Sequence, residues 1–191
     1  MEQTVLSGEY LFNRQELVAG FYFSPDGKFQ FVHSLGAIDR IASGSFSVEG
    51  NLIKLKSDKE PGKDFNIVDQ SKEGTGYILT VKNEYSYILS NFLCTYFLDG
   101  VHYGVLSDSN GEIHLDIPHC DKIYILSNLF PDISTLVKDE TNDNNRFTIT
   151  INTSIQRVSF KDIDLTLVND NTITCQSNYF MQMDDIKFIK Q

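Results

Sequence analysis

Leu17-Val-Ala-Gly-Phe-Tyr-Phe23 is followed by Ser24-Pro-Asp-Gly27 and then by Lys28-Phe-Gln-Phe-Val-His33. Successive side chains of an extended chain point to opposite faces. Leu17, Ala19, Phe21 and Phe23 therefore share one face of the first segment. Phe29 and Phe31 share one face of the second, while Lys28, Gln30 and Val32 point the other way. Between the two, Pro25 supplies the fixed φ of the second turn position, Asp26 tolerates the third, and Gly27 takes the positive φ that closes such a loop. These residues predict a β-hairpin whose face with four phenylalanines is a core wall.

The same period of two runs along the chain, whereas apolar spacing at 3, 4 and 7 is nearly missing, so the fold class expected is all-β. Strands are predicted at Gly44 to Val48, Leu52 to Lys56, Phe65 to Val68 and Thr75 to Val81, which complete a first set. Lys82-Asn83-Glu84 and the apolar stretch after it read as the crossing into a second set. That set comprises Asn91 to Leu98, Val101 to Leu106, Glu112 to Ile117, Lys122 to Leu126, Arg146 to Ile151, Arg157 to Phe160, Ile163 to Val168, Thr172 to Cys175 and Tyr179 to Ile189. Its turns are Asp99-Gly100 and Asp108-Ser-Asn-Gly111. Asn128 to Lys138 reads either as a short helix entered through Pro131 or as an edge strand, and Lys138 to Asn145 as a solvated loop.

Composition removes several function classes. In 191 residues the formal charge is −10, and no two Lys or Arg are adjacent, so affinity from neutralised phosphates is disfavoured and neither nucleic acid nor an anionic membrane is an expected partner. The longest uncharged stretch, Tyr85 to Leu98, is 14 residues, short of the roughly 18 to 20 that span a bilayer, and reads as buried strand. Met1-Glu-Gln-Thr-Val-Leu6 has no basic region followed by an apolar one, so no signal peptide is expected in this chain and the compartment stays open. Cys94, Cys120 and Cys175 are too few and scattered for a disulfide framework; they read as three buried thiols, with one bridge and an orphan as the alternative.

Gly8-Glu-Tyr10, Glu16-Leu-Val-Ala-Gly20, Ser24-Pro-Asp-Gly-Lys-Phe29, Leu35-Gly-Ala-Ile-Asp39, Ala42-Ser-Gly-Ser-Phe46 and Gly50-Asn-Leu-Ile-Lys-Leu55 follow a recognisable order. It resembles the N-terminal part of a family of uncharacterised bacterial two-domain β proteins, which implies a small curled, lipocalin-like meander. Members of that family usually look exported. Phe97-Leu-Asp-Gly100, Val105-Leu-Ser-Asp-Ser-Asn-Gly111, Ile113-His-Leu-Asp-Ile-Pro118 and Ile123-Tyr-Ile125 are similar to the hairpin of carboxypeptidase-regulatory or transthyretin-like sandwiches, with Ser107 where that pattern has threonine. Neither resemblance implies an activity.

Six residues able to bind a metal, His102, Asp108, His114, Asp116, His119 and Cys120, fall close together. His114 and Asp116 share one side of a strand, and a neighbouring strand carrying His102 would complete a His/His/Asp set that zinc accepts. The plainer reading is a wet sheet face, with Glu112, His114 and Asp116 opposite Ile113, Leu115 and Ile117. Cys120 beside His119 suggests a thiol nucleophile, although consecutive residues on an extended chain point apart. Asp162 and Asp164, and Glu9 or Glu16 near the aromatic face, would suit glycoside chemistry only at a fixed separation, and Lys161-Asp162-Ile-Asp164 reads more simply as the polar side of a strand. Asp184-Asp185 reads as a turn or bulge, and Asn152-Thr-Ser154 matches a glycosylation sequon. Tyr10, Phe12, Phe21, Tyr22, Phe23, Phe29, Phe31 and Phe46 either line a pocket or fill a core; the size of the first unit favours core, and Tyr10 and Tyr22 would mark a pocket if one existed.

The expectation is an all-β protein with a lipocalin-like meander over 1–88 and a transthyretin-like sandwich over 89–191. No catalytic, cofactor or metal residue is assigned. Its expected role is a non-enzymatic accessory or binding module presenting loops or a sheet edge to a protein, glycan or small ligand. The alternative is a metal-dependent hydrolase using His102, His114 and Asp116, and a third reading is a small-molecule carrier using the aromatic residues of the first part.

Overall fold

A computed structural model describes residues 6–191, without the side chain of Ser86. Those residues form sixteen strands, numbered β1 to β16 in chain order, and one short 3-10 helix, Ser86–Asn91. The chain is all-β, as its alternation requires. No helix among the described residues is long and apolar enough to cross a membrane.

The first compact unit combines the described residues up to Glu60 with Gln156–Gln191. Its strands are β1 (Gly8–Arg14), β2 (Leu17–Phe23), β3 (Lys28–Leu35), β4 (Ile38–Glu49), β5 (Leu52–Ser57), β14 (Asp164–Asn169), β15 (Thr172–Cys175) and β16 (Ile186–Lys190). They close into an up-and-down antiparallel barrel in which β16 pairs with β1. The predicted hairpin is β2–β3, with Phe21 opposite Phe31 and Phe23 opposite Phe29. Gly27 sits at φ 77 and its N–H donates to Ser24 O at 3.1 Å.

An eight-stranded barrel is just wide enough inside for side chains to fill it. Here Phe21 does so centrally, its ring centroid 4.6 Å from Phe31, 5.0 Å from Phe188 and 5.6 Å from Phe160. Tyr10 joins that core and donates its hydroxyl to Asp170 O at 3.0 Å, while Tyr22 points outward. Apart from Tyr22, the aromatic residues singled out in the sequence pack into this core.

The second unit is Pro61–Ile155. It contains β6 (Phe65–Ser71), β7 (Tyr77–Lys82), β8 (Phe92–Leu98), β9 (Val101–Leu106), β10 (Glu112–Leu115), β11 (Lys122–Ser127), β12 (Thr135–Lys138) and β13 (Arg146–Ile151). These make two four-stranded sheets, β10-β7-β13-β6 and β12-β11-β8-β9, which share one apolar cluster. All pairings are antiparallel except β7 with β13.

Several expectations need correction. The compact units do not divide at residue 88, because β14, β15 and β16 complete the barrel that β1 to β5 begin, and the other unit is inserted between β5 and β14. Phe65 to Val68 and Thr75 to Val81 accordingly belong with the later strands. Arg157 to Phe160 forms no strand, only an isolated bridge from Arg157 to Ile41, since Phe160 and Asp162 turn the chain at φ 52 and 59. Of Tyr179 to Ile189, only the part from Ile186 pairs. The ambiguous segment ends in an edge strand, β12, rather than a helix. Cys94 and Cys120 are buried, whereas Cys175 is half-buried.

Candidate functional site

The outermost strand β9 is joined to β8 by the two-residue turn Asp99-Gly100, with φ of 52 and 78. Positive φ at both central residues is the turn that matches the twist of a tight hairpin. Leu98 and Val101 flank it as register partners, and Ser107 N donates to Phe92 O at 2.9 Å at the far end. Because hydrogen-bonded and non-bonded pairs alternate along an antiparallel ladder, Val101, Tyr103 and Val105 turn their backbone groups to β8. His102, Gly104 and Leu106 turn theirs to the open edge, where no other strand of the sheet lies.

This edge lacks the usual protections. Lysine, proline and bulges blunt edge strands against pairing with another chain. Val101-His-Tyr-Gly-Val-Leu106 contains none of them, and its register with β8 is unbroken. Val101 is 52%, Tyr103 44% and Leu106 55% exposed. Beside the edge, the side of the sheet turned away from the core is apolar too. Leu93 is opposite Leu106 and Leu126, and Phe97 stands 6.0 Å from His102 and 5.9 Å from Tyr124, ring centre to ring centre. Exposed Leu136 pairs with Tyr124.

The proposed metal triad does not assemble. His102 is on β9 and His114 on β10, and these strands belong to different sheets, so the adjacency that would bring them alongside is missing. His114 instead lies 3.1 Å from Glu112 on its own strand. Asp116 is exposed beyond the end of β10. Among the described residues no group of three or more His, Cys, Asp or Glu is placed to hold a metal ion. Asp108 closes its turn by accepting the N–H of Asn110 and of Glu112, each at 2.8 Å, and these bonds hold its carboxyl below the usual range.

The other candidates separate as well. His119 is exposed, 3.7 Å from Asp99, while Cys120 is buried, and burial pushes the Cys120 thiol up, against the pull of the Tyr77 hydroxyl and of Lys138. That is the environment of an unreactive thiol. Asp162, Asp164, Glu9 and Glu16 are all exposed, and Asp162 is engaged by Lys161 at 2.7 Å. Asp184 and Asp185 lie in the loop before β16, with Asp185 at φ 57. Asn152 holds its own turn, its side-chain oxygen accepting Ser154 N at 3.1 Å.

The stretch Lys138 to Asn145, expected to be a solvated loop, is not solvated at its ends: Asn145 is buried, and Lys138 stands buried at the loop end of the second unit. Lys138, the last residue of β12, is 5% exposed, and its ammonium donates to Cys120 O and Asp139 O at 3.0 Å each. It borders a cleft of about 490 Å³ between the β6–β7 turn, the Pro118–Asp121 loop and the β12–β13 loop. The Tyr77 hydroxyl, at the same place, accepts Cys120 N at 3.2 Å.

Comparison of the chain with models of protein families, with curated proteins and with solved structures found no match.

Proposed function

We propose that this chain is a non-enzymatic binding module that takes an extended segment of a partner protein as an added strand along β9. The observation that carries the reading is the open, uncharged edge of Val101–Leu106, exposed at residue after residue and continuous with an apolar sheet face. In strand addition, main-chain hydrogen bonds supply affinity and alternate side chains supply selectivity. The backbone groups of His102, Gly104 and Leu106 are the donors and acceptors for the incoming strand, and Leu93, Phe97 and Leu106 receive apolar side chains at every second position. A net charge of −10 favours a partner segment flanked by basic residues, through faster encounter.

The test is a ten-residue peptide selected from a displayed random library on the immobilised protein, followed by amide hydrogen exchange of the complex. Slowed exchange at His102, Gly104 and Leu106 is expected. Gly104→Pro removes an N–H that β8 does not use, and proline is tolerated on the outer side of an edge strand. A side chain there meets only the tip of Leu93, at 3.3 Å. The substitution is expected to abolish peptide binding while leaving the β8–β9 ladder in place. Selected peptides that protect other amides, or that bind Gly104→Pro as well as the parent, overturn the reading.

A further inference from the structure

We infer that the cleft beside Lys138 binds a small zwitterion of dipeptide size, with a carboxylate on the Lys138 ammonium and a cationic amine on the rim carboxylates Asp121 and Asp143. The inference goes beyond strand addition and does not involve β9.

The argument starts from the cost of burying charge. An ammonium taken out of water is costly to bury unless it is paired. Lys138 is almost fully buried, yet its two acceptors are neutral carbonyls, and no carboxylate lies within ion-pair distance of it among the described residues. The third N–H of the ammonium has no acceptor among those residues either. This charge stands at the wall of an open cleft rather than in sealed core. The Asp139 carboxylate feels the Lys138 charge from beyond ion-pair distance, and an incoming carboxylate would supply the close counter-charge and the missing acceptor.

The rim says what else the ligand carries. Asp121 and Asp143 border the same cleft and make no ion pair among the described residues, whereas the neighbouring Glu140 is occupied by Lys122 at 3.2 Å. Lys72 also lines the cleft, but Asp121 and Asp143 still oppose a simple anion at Lys138, while a zwitterion satisfies both ends. About 490 Å³ lies in the range of small-ligand sites and accommodates a dipeptide. The wall is also fixed in advance. Asn145 Nδ2 donates to Gly76 O at 2.9 Å, and Arg146 donates to Gly76 O at 2.9 Å and to Thr75 O at 3.2 Å, which clamps the β6–β7 turn. Preorganisation of this kind reduces the entropy lost on binding.

The experiment is calorimetric titration of the full chain with a panel of unblocked Xaa-Ala dipeptides. At least one is expected to bind with a Kd of about 1 mM or tighter, worth about 4 kcal/mol. Removing one member of a charge pair should then weaken binding roughly tenfold or more, whether by C-terminal amidation, by N-acetylation, or by Asp121→Asn with Asp143→Asn. Lys138→Met should abolish it, with folding checked by thermal melting. Should that variant fail to fold, the amidated peptide and the two rim substitutions, on half-buried or exposed residues, still decide the matter. No binding across the panel, or binding indifferent to amidation or to the rim substitutions, overturns the inference.

Discussion

His33 faces the barrel interior, 4% exposed, with its ring 6.4 Å from Phe31 and 5.9 Å from Phe180. Neither ring nitrogen makes a hydrogen bond to another residue among those described. Burial, and the Arg40 guanidinium on the neighbouring strand, push its pKa below the ordinary value, more strongly than its own backbone and Asp39 oppose them. Because the folded pKa is depressed, the unfolded chain binds more protons than the folded one in the interval between the two values. The stability that His33 contributes is therefore complete above the unfolded pKa, about 6.5, and is lost as pH falls through that value toward the folded one. His33→Phe fits the same ring cluster and removes a buried polar group that has no partner side chain, a change that is nearly neutral or stabilising at neutral pH. Thermal melts at about pH 8 and pH 5 are expected to differ less in His33→Phe than in the parent. Equal acid sensitivity of the two proteins would show that His33 is not the group responsible.

At the scale of elements, β4 does two jobs. Its first part pairs with β3 and its last part with β5, and Gly44 belongs to both ladders, opposite Phe29 and Ser57. A Cβ on Gly44 would lie 2.0 Å from Lys56 O and 2.8 Å from Ser57 Cα, so glycine is what lets the β5 backbone approach as the strand bends round the barrel. Gly20 offers the contrast, because a Cβ there would meet chiefly the tip of the Leu11 side chain, which can move. Gly44→Ala is expected to cost about 2–3 kcal/mol, as overpacking against backbone does, and Gly20→Ala less than about 1.5 kcal/mol, in urea denaturation of each variant. A larger loss from Gly20→Ala than from Gly44→Ala would contradict this account. The same elements show what can be read locally. The β2–β3 hairpin and the Asp99-Gly100 turn are legible because their chemistry lies within a few consecutive residues. Gly44 reads only as one residue of a strand, and β9 reads as a strand but not as an edge. Both properties depend on which distant strand lies alongside. Lys138 is hidden for a related reason, since its burial follows from Cys120 O on another loop.

For the whole molecule, the decisive pairing is β1 with β16, Tyr10 opposite Lys190 and Leu11 opposite Ile189, which joins the first and last described strands into one barrel. Alternation in β14, β15 and β16 identifies them as strands, but nothing in a period of two says that they complete a sheet begun by β1 to β5. An insertion read as the middle of two consecutive domains is the natural error. The places where the chain leaves and re-enters the barrel are tied within that unit: Lys59 Nζ donates to Arg157 O at 2.8 Å and Ser57 Oγ to Val158 O at 2.9 Å. The inserted unit is closed in the same way, with Phe65 opposite Ile151 in register and Asn152 N donating to Asp64 O at 2.8 Å. Each unit also has its own apolar cluster. A segment whose ends meet, and whose core is its own, is removable without opening the host. Deleting 61–155 and joining Glu60 to Gln156 through a short glycine-serine linker is therefore expected to give a barrel that melts cooperatively and keeps the near-ultraviolet signal of its packed phenylalanine rings. The excised 61–155 should likewise show a melting transition of its own. If the shortened chain lacks tertiary signal while the full chain has it, the barrel depends on its insert for stability and the two units are not independent.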